Sequence, residues 1–494
     1  MSANIRRTLI LLLLTVVIST GVFLTDAFRD DNFCRYDAPF YATIAQNIVR
    51  TGDWVNLRYS LDMPFEGNHP PLTFWATAFF VKLLGESVIS VVLFSILCAV
   101  GACITVFLIG TVLKDDIVGF LSAMGLLLTR YVPRVARFNT IEIPLMLFVS
   151  LAVLFLILAL KKHRAFYLLF GVCVSLSILS KGIVGVLPFG ICFFMILFQK
   201  RFRDFYNPFF LGGIFIALAV PFSWLFFKGG GSLEGVVSVF KSYYTFAFIA
   251  FTAAGREDPG PRLRLITKLI EICFIIFPGV LLGAYFLIRD NIKDKRRDLL
   301  VIPVWALIFI LAFMISSWRR GFYLLPMYPA MALLFGVGIS GIIKERYRLW
   351  TVCLIAAFFA GNISAPVLFP HWEPKDLDDV IYTNTYFPKA KEAARAFYEQ
   401  FSLDARFAAY GLDFPQENEF IFFFRSDNDI EICQDEEAFK ELVYSKKPVL
   451  VYMEKNTFSR LDKKYHSKLK VVYAFDDNVM ATNRLDAVPV FGEE

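Results

Sequence analysis

The sequence predicts a multi-pass α-helical integral membrane protein with a small C-terminal α/β domain outside the membrane. Three observations predict it. Hydrophobic residues make up 57% of the 494 residues and charged residues 19%, with Phe 55, against about 45–50% and about 25% in a soluble domain. The apolar excess lies in long runs able to cross roughly 30 Å of hydrocarbon, and Lys and Arg gather in alternate loops between them. After about residue 370 the runs give way to charge, turns and short strand-like stretches.

The first run, TLILLLLTVVISTGVFL (8–24), follows Arg6 and Arg7 and carries no small-residue cleavage site, so it reads as a retained helix rather than a removed signal. Spans are expected at 8–27, 88–112, 117–132, 140–160, 166–181, 183–199, 208–227, 268–288, 299–316, 322–342 and 348–368, for a total of about 11–13 transmembrane helices. Arg6 and Arg7 place the N-terminus in the cytoplasm. KKHR (161–164), QKRFR (199–203), RDNIKDKRR (289–297) and KERYR (344–348) then all fall inside. Residues 28–87, 228–267 and everything after about 370 fall outside. A full crossing by 70–84 would break this alternation, so that piece is read as lying in the interface.

The division expected is a membrane domain over 1–370, with 28–87 as a long first outer loop, and an α/β domain over 371–494. In the tail, RFAAYG, EFIFFF, DIEIC, PVLVYM and KLKVVYAF read as strands, and DEEAFKELVYSKK as a helix between them. No phosphate loop and no GxGxxG after a strand is visible, so a nucleotide pocket is not expected. The net charge of +6 fits basic membrane loops rather than a nucleic-acid surface. No Cys/His pair has zinc-finger spacing; the cysteines read as small core thiols, with a Cys34–Cys433 disulfide left open.

The predicted outer side also carries charge. TRYVPRVARFNTIEIP (129–144) holds Arg130, Arg134, Arg137 and Glu142; Lys181 lies in LSKGIVG; Arg319 and Arg320 lie in SSWRRGFYLLPMYP. Charge at such depth is costly unless it faces a wet cavity or a partner. An anionic headgroup or phosphate suits several Lys and Arg donors, and snorkelling to ordinary lipid phosphates is the alternative. In the first outer loop, Phe40, Tyr41, Ile44 and Ile48 recur at helical spacing over 38–50, with Thr51-Gly52 as the stop. Asp37 stands at the N-cap. That role does not exclude a second one, as a base accepting a proton from an attacking hydroxyl. Glu66 and His69, in FEGNHPPLTFW, read as a turn at the membrane surface or as two ligands of a divalent metal, too few by themselves for a tetrahedral site.

In their order, DAPFYATIAQNIVRTGDWV, Arg58, FE…HPPLTFW, RFNTIEIPL, LSILSKGIVGVLPF and FYLLPMYPAMALL resemble the polyprenyl-phosphate-dependent membrane glycosyltransferases of the GT-C class. The nearest likeness is to the lipid A aminoarabinose transferases and protein O-mannosyltransferases. The resemblance covers about 1–370. It implies a GT-C fold in a bacterial inner membrane, interfacial helices in the first outer loop and a C-terminal domain in the periplasm. A polyprenyl phosphate sugar would be the donor and a lipid or protein the acceptor, with no cofactor required.

The resemblance further implies roles. Asp37 is the essential first acid, Glu142 the second, and Arg58, His69, Lys181, Arg320 and Tyr323 hold donor phosphate, with Arg137 beside them. Ala38 stands where the family usually has Glu, Glu142 where Asp is commoner, and Gly67-Asn68 are inserted before His69. No Trp-Glu-His occurs in the mid-chain outer loop, so the aminoarabinose enzymes' metal site does not carry over. The rival reading is a transporter or flippase moving a lipid-linked glycan without chemistry; no internal symmetry supports it.

Overall fold

The computed structural model describes residues 3–25, 38–58, 69–129, 131–251, 273, 275–315, 321–343, 406–411, 430–433, 435–475 and 478–487. It divides into two units, one of residues 1–28 with 47–375 and one of residues 29–46 with 376–494.

The first unit is helical. Its elements are α1 (Ala3–Leu24), the end of α2 (Ala38–Thr51), α3 (Leu72–Leu84), α4 (Val88–Leu113), α5 (Asp116–Leu127), α6 (Tyr131–Val135), α7 (Glu142–Lys161), α8 (Phe166–Lys181), α9 (Leu187–Phe198), α10 (Pro208–Lys228), α11 (Leu233–Phe251), α12 (Phe277–Asp294), α13 (Val301–Ile315) and α14 (Tyr328–Ile342). Among the described residues, seven helical stretches are long and apolar enough to cross a membrane. The caps explain several starts: Asp115 accepts from the amides of Ile117 and Val118, Ser87 and Ser90 form a capping box, and Asn207 accepts from Phe209 N.

Two expected boundaries move. The helix expected over 117–132 stops at Leu127, and the short α6 follows separately. The span expected over 268–288 is met by α12, which starts at Phe277 with Pro278 in its first turn and runs on to Asp294. Arg289 and Asp290, read from the sequence as loop, are therefore helical. Residues 268–272, KERYR and the span at 348–368 lie outside the described residues.

One end of this unit is tied by ion pairs. Arg7 grips Asp116 at 2.8 and 2.7 Å, and Thr8 adds a hydrogen bond to the same carboxylate. Lys114 meets Asp290, and Lys161 and Arg296 share Asp298. Asp204, fully buried, takes Arg164, Arg201 and the hydroxyl of Tyr167. The basic loops around 161–164, 199–203 and 289–297 thus share the end at which α1 begins.

The helix α3 starts and finishes at the other end. Trp75, in its first turn, donates to the carbonyl of Trp54, and Glu86, just past its last turn, pairs with Arg50 at 3.7 Å. α4 then runs from Val88 to the tied end, where Arg296 donates to the carbonyl of Leu113. α3 therefore does not cross the bundle, as the interfacial reading of 70–84 expects.

In the second unit, strands β1 (Arg406–Tyr410), β2 (Ile430–Cys433), β3 (Val449–Glu454), β4 (Lys470–Phe475) and β5 (Asn478–Thr482) form one sheet in the order β2-β1-β3-β5-β4. β1 is parallel to β2 and β3, and β5 is antiparallel to β3 and β4. Helix α15 (Glu436–Val443) buries Phe439 and Leu442 against Ala408, Val449 and Val451. Short helices α16 (Lys455–Arg460) and α17 (Lys463–His466) lead into β4. β5 was not expected from the sequence; EFIFFF lies outside the described residues. Cys433 is buried; Cys34, and with it the disulfide left open between the two, lies outside the described residues.

Candidate active site

The group built from the first unit centres on Lys181. α8 ends at this lysine, and Gly182, at φ +53, turns the chain through a conformation that disfavours any side chain. Gly185 then packs directly on the backbone of Ser177 and Ile178, so the chain doubles back and α8 and α9 form a hairpin with Lys181 at its tip. Glu142 opens α7, where the positive end of the helix dipole suits a carboxylate. The two meet at 2.6 Å with side chains only 7% and 12% exposed, a charge-assisted and largely desolvated pair.

Two more elements come to the hairpin tip, one of them onto the ammonium itself. It lies 4.0 Å over the ring of Tyr323, which stacks on Phe313 of α13. The turn carrying Tyr323 is fixed by Trp305, whose indole N–H donates 2.9 Å to the carbonyl of Pro326. On another side, a methyl group at Gly182 would stand 3.8 Å from Pro70, which brings His69-Pro70 beside the hairpin tip. Burial of the His69 ring, followed by the positive charge of Lys181, pushes its pKa down to about 3. His69 is thus a neutral hydrogen-bonding group at ordinary pH, not a second cation.

No motif marks what holds this segment. The hydroxyl of Tyr243, on α11, donates to the carbonyl of His69 at 3.2 Å. Thr77 of α3 donates to the Asn139 side chain at 3.2 Å, joining α3 to the loop before Glu142. Both threonine and asparagine stand inside or next to motifs read from the sequence; Tyr243 does not.

Of the remaining expected residues, Arg137 donates to the carbonyl of Val22, which ties the 136–141 loop to the end of α1. Arg58 receives a hydrogen bond on its carbonyl from Asn47. Asp37, Glu66 and Arg320 lie outside the described residues, as do Arg130 and Arg319. Among the described residues no group of three His, Cys, Asp or Glu stands together as a metal site.

Such an arrangement can hold an anion. A buried lysine fixed between a carboxylate and an aromatic face, beside a neutral imidazole, offers directed N–H donors in a site of low polarity.

Residues 68–227 match the family model described as dolichyl-phosphate-mannose-protein mannosyltransferase; His69, Glu142 and Lys181 fall within the match. An uncharacterized protein of Aquifex aeolicus (strain VF5) is 24% identical over 326 residues, which is 64% of this chain and 63% of that protein. A second uncharacterized protein from the same organism is 26% identical over 66% of this chain and 72% of its own. The chain thus spans less than two thirds of the first relative's length. Its fold is similar to that of ArnT from Cupriavidus metallidurans bound to undecaprenyl phosphate, with a TM-score of 0.74, 15% identity and 100% of both chains covered. It is also similar to the apo oligosaccharyltransferase of Archaeoglobus fulgidus, with a TM-score of 0.56, 11% identity, and 98% of this chain and 75% of that one covered. The protein is a multi-span membrane protein with the fold of the GT-C glycosyltransferases, and the resemblance read from its motifs holds.

Proposed function

We propose that the chain is an inner-membrane glycosyltransferase that moves one sugar from a polyprenyl phosphate carrier to an acceptor outside the cytoplasm, such as lipid A, another envelope glycan or a protein. The observation that carries this reading is the Glu142–Lys181–Tyr323 group at the end of the bundle opposite the basic loops. In it Lys181 grips the carrier phosphate, Tyr323 and Glu142 hold the ammonium in place, and neutral His69 donates a hydrogen bond. Arg58, Arg137 and Arg320 add positive charge around the phosphate. Asp37 accepts the proton of the acceptor hydroxyl as its oxygen attacks the anomeric carbon. The carbon–oxygen bond to phosphate breaks, and the electron pair leaves on the polyprenyl phosphate, where Lys181 stabilises the growing negative charge.

The protein in proteoliposomes, given undecaprenyl phosphate bearing a radiolabelled sugar and an extract of envelope lipids and proteins, tests this reading. Transfer of label off the carrier is expected, and Asp37→Asn should lower it about 100-fold or more with membrane insertion intact. Label that crosses the membrane still attached to its carrier would instead mark a flippase.

A further inference from the structure

The two segments that lead to His69 and to Glu142, joined by the Thr77–Asn139 hydrogen bond, carry polar atoms that the phosphate reading does not use. Thr73 Oγ1, Asn139 Nδ2 and Thr140 Oγ1 are buried and have no hydrogen-bond partner among the described residues. The residues are 0%, 1% and 6% exposed. Buried polar atoms are normally satisfied, so three together need a reason.

Local geometry sharpens the point. Thr43, Thr51, Thr105 and Thr111 each return their hydroxyl to the carbonyl four residues back. The carbonyl four residues before Thr73 belongs to His69, and it takes the hydroxyl of Tyr243 instead. Asn139 has its oxygen held by Thr77, one turn along α3 from Thr73, which leaves its amide nitrogen available on the same side of the helix.

The connection to the site runs along two segments. Thr73 follows His69 by four residues, and Asn139-Thr140 precede Glu142 by two or three. Each segment therefore carries one group beside Lys181 and, within three or four residues of it, unsatisfied neutral polar atoms: one on the His69 segment and two on the Glu142 segment. The Thr77–Asn139 hydrogen bond clasps the two segments together.

We infer that Thr73, Asn139 and Thr140 form the subsite that reads the hydroxyl groups of the sugar carried on the phosphate. The set is uncharged. It offers donors and acceptors in neighbouring positions, which suits the adjacent hydroxyls of a monosaccharide and suits neither an anion nor a lipid tail. A site built to hydrogen-bond hydroxyls discriminates strongly, because a wrong sugar leaves its buried groups unpaired. This inference rests on Lys181 holding the carrier phosphate.

Binding to the full-length protein in nanodiscs separates the two claims. The probes are undecaprenyl phosphate alone and undecaprenyl phosphate bearing mannose, glucose or arabinose. Lys181→Ala should weaken all of them; no effect on any probe would remove the phosphate reading itself. Thr73→Val and Thr140→Val should each raise the Kd of the best-bound sugar-bearing probe by roughly tenfold, leave bare undecaprenyl phosphate within about twofold, and leave the melting temperature unchanged. Thr73→Ser should restore the wild-type value. Equal effects on sugar-bearing and bare carrier, or none on any sugar-bearing carrier, would overturn the inference and make the patch a site of ordered water alone.

Discussion

Glu142 and Lys181 meet at 2.6 Å across two helices, 39 positions apart in sequence, with both side chains nearly closed off from solvent. Breaking such a pair from one side strands the remaining charge, at a cost of roughly 3–5 kcal/mol, whereas removing both charges is far milder. Lys181→Met alone should therefore lower the thermal midpoint in detergent more than Lys181→Met combined with Glu142→Gln. Equal losses would mean the two residues do not stabilise each other.

Tyr323 is expected to act through its ring face rather than its hydroxyl. The ammonium of Lys181 lies 4.0 Å from the ring centroid, a contact worth about 0.5–2 kcal/mol. Tyr323→Phe should keep the donor KM within about twofold of wild type, and Tyr323→Leu should raise it several-fold. Steady-state kinetics on the reconstituted protein measure both. A Phe variant as impaired as the Leu variant would point to the hydroxyl.

His69 sets a pH dependence of stability. Its folded pKa of about 3 lies below the ordinary histidine value of 6.5, so between those values the unfolded chain binds the proton and the folded one does not. The stability it contributes is complete above about pH 6.5 and is lost as the pH falls toward 3. Melting curves taken from pH 7 to pH 4 should fall less steeply for His69→Gln than for wild type.

Gly182 holds the hairpin tip in a left-handed turn that packs beside Pro70. Gly182→Ala should cost about 1–3 kcal/mol and should raise the donor KM by displacing Lys181. Gly190→Ala, inside α9 at ordinary contact distance from Ile308, serves as the control and should be nearly silent in both assays.

Much of this fold is legible in the sequence because a bilayer imposes a simple code. Length, hydropathy and the placing of Lys and Arg located most of the described helices. Ion pairs such as Arg164–Asp204 and Lys161–Asp298 gather the basic loops at one end. Motif order named His69, Glu142, Lys181 and Tyr323, and the fold brings these four into one neighbourhood. Tyr243 escaped notice because a single long-range hydrogen bond to a backbone carbonyl leaves no periodic trace. The start of α12 was misplaced because an apolar run does not mark its own first residue; Pro278 does. β5 was missed because its five residues resemble a loop until β3 and β4 close around them.

Asp204 lies at the far end of the hairpin from Lys181. Arg164 and Tyr167 reach it from the entrance of α8, and Arg201 from just beyond the exit of α9. One carboxylate thus nails both legs of the hairpin to the same spot. Neither leg can slide along the other, so the ammonium at the apex has two ways to travel: by swivelling about its own side-chain bonds, or by the whole fork leaning as one rigid piece.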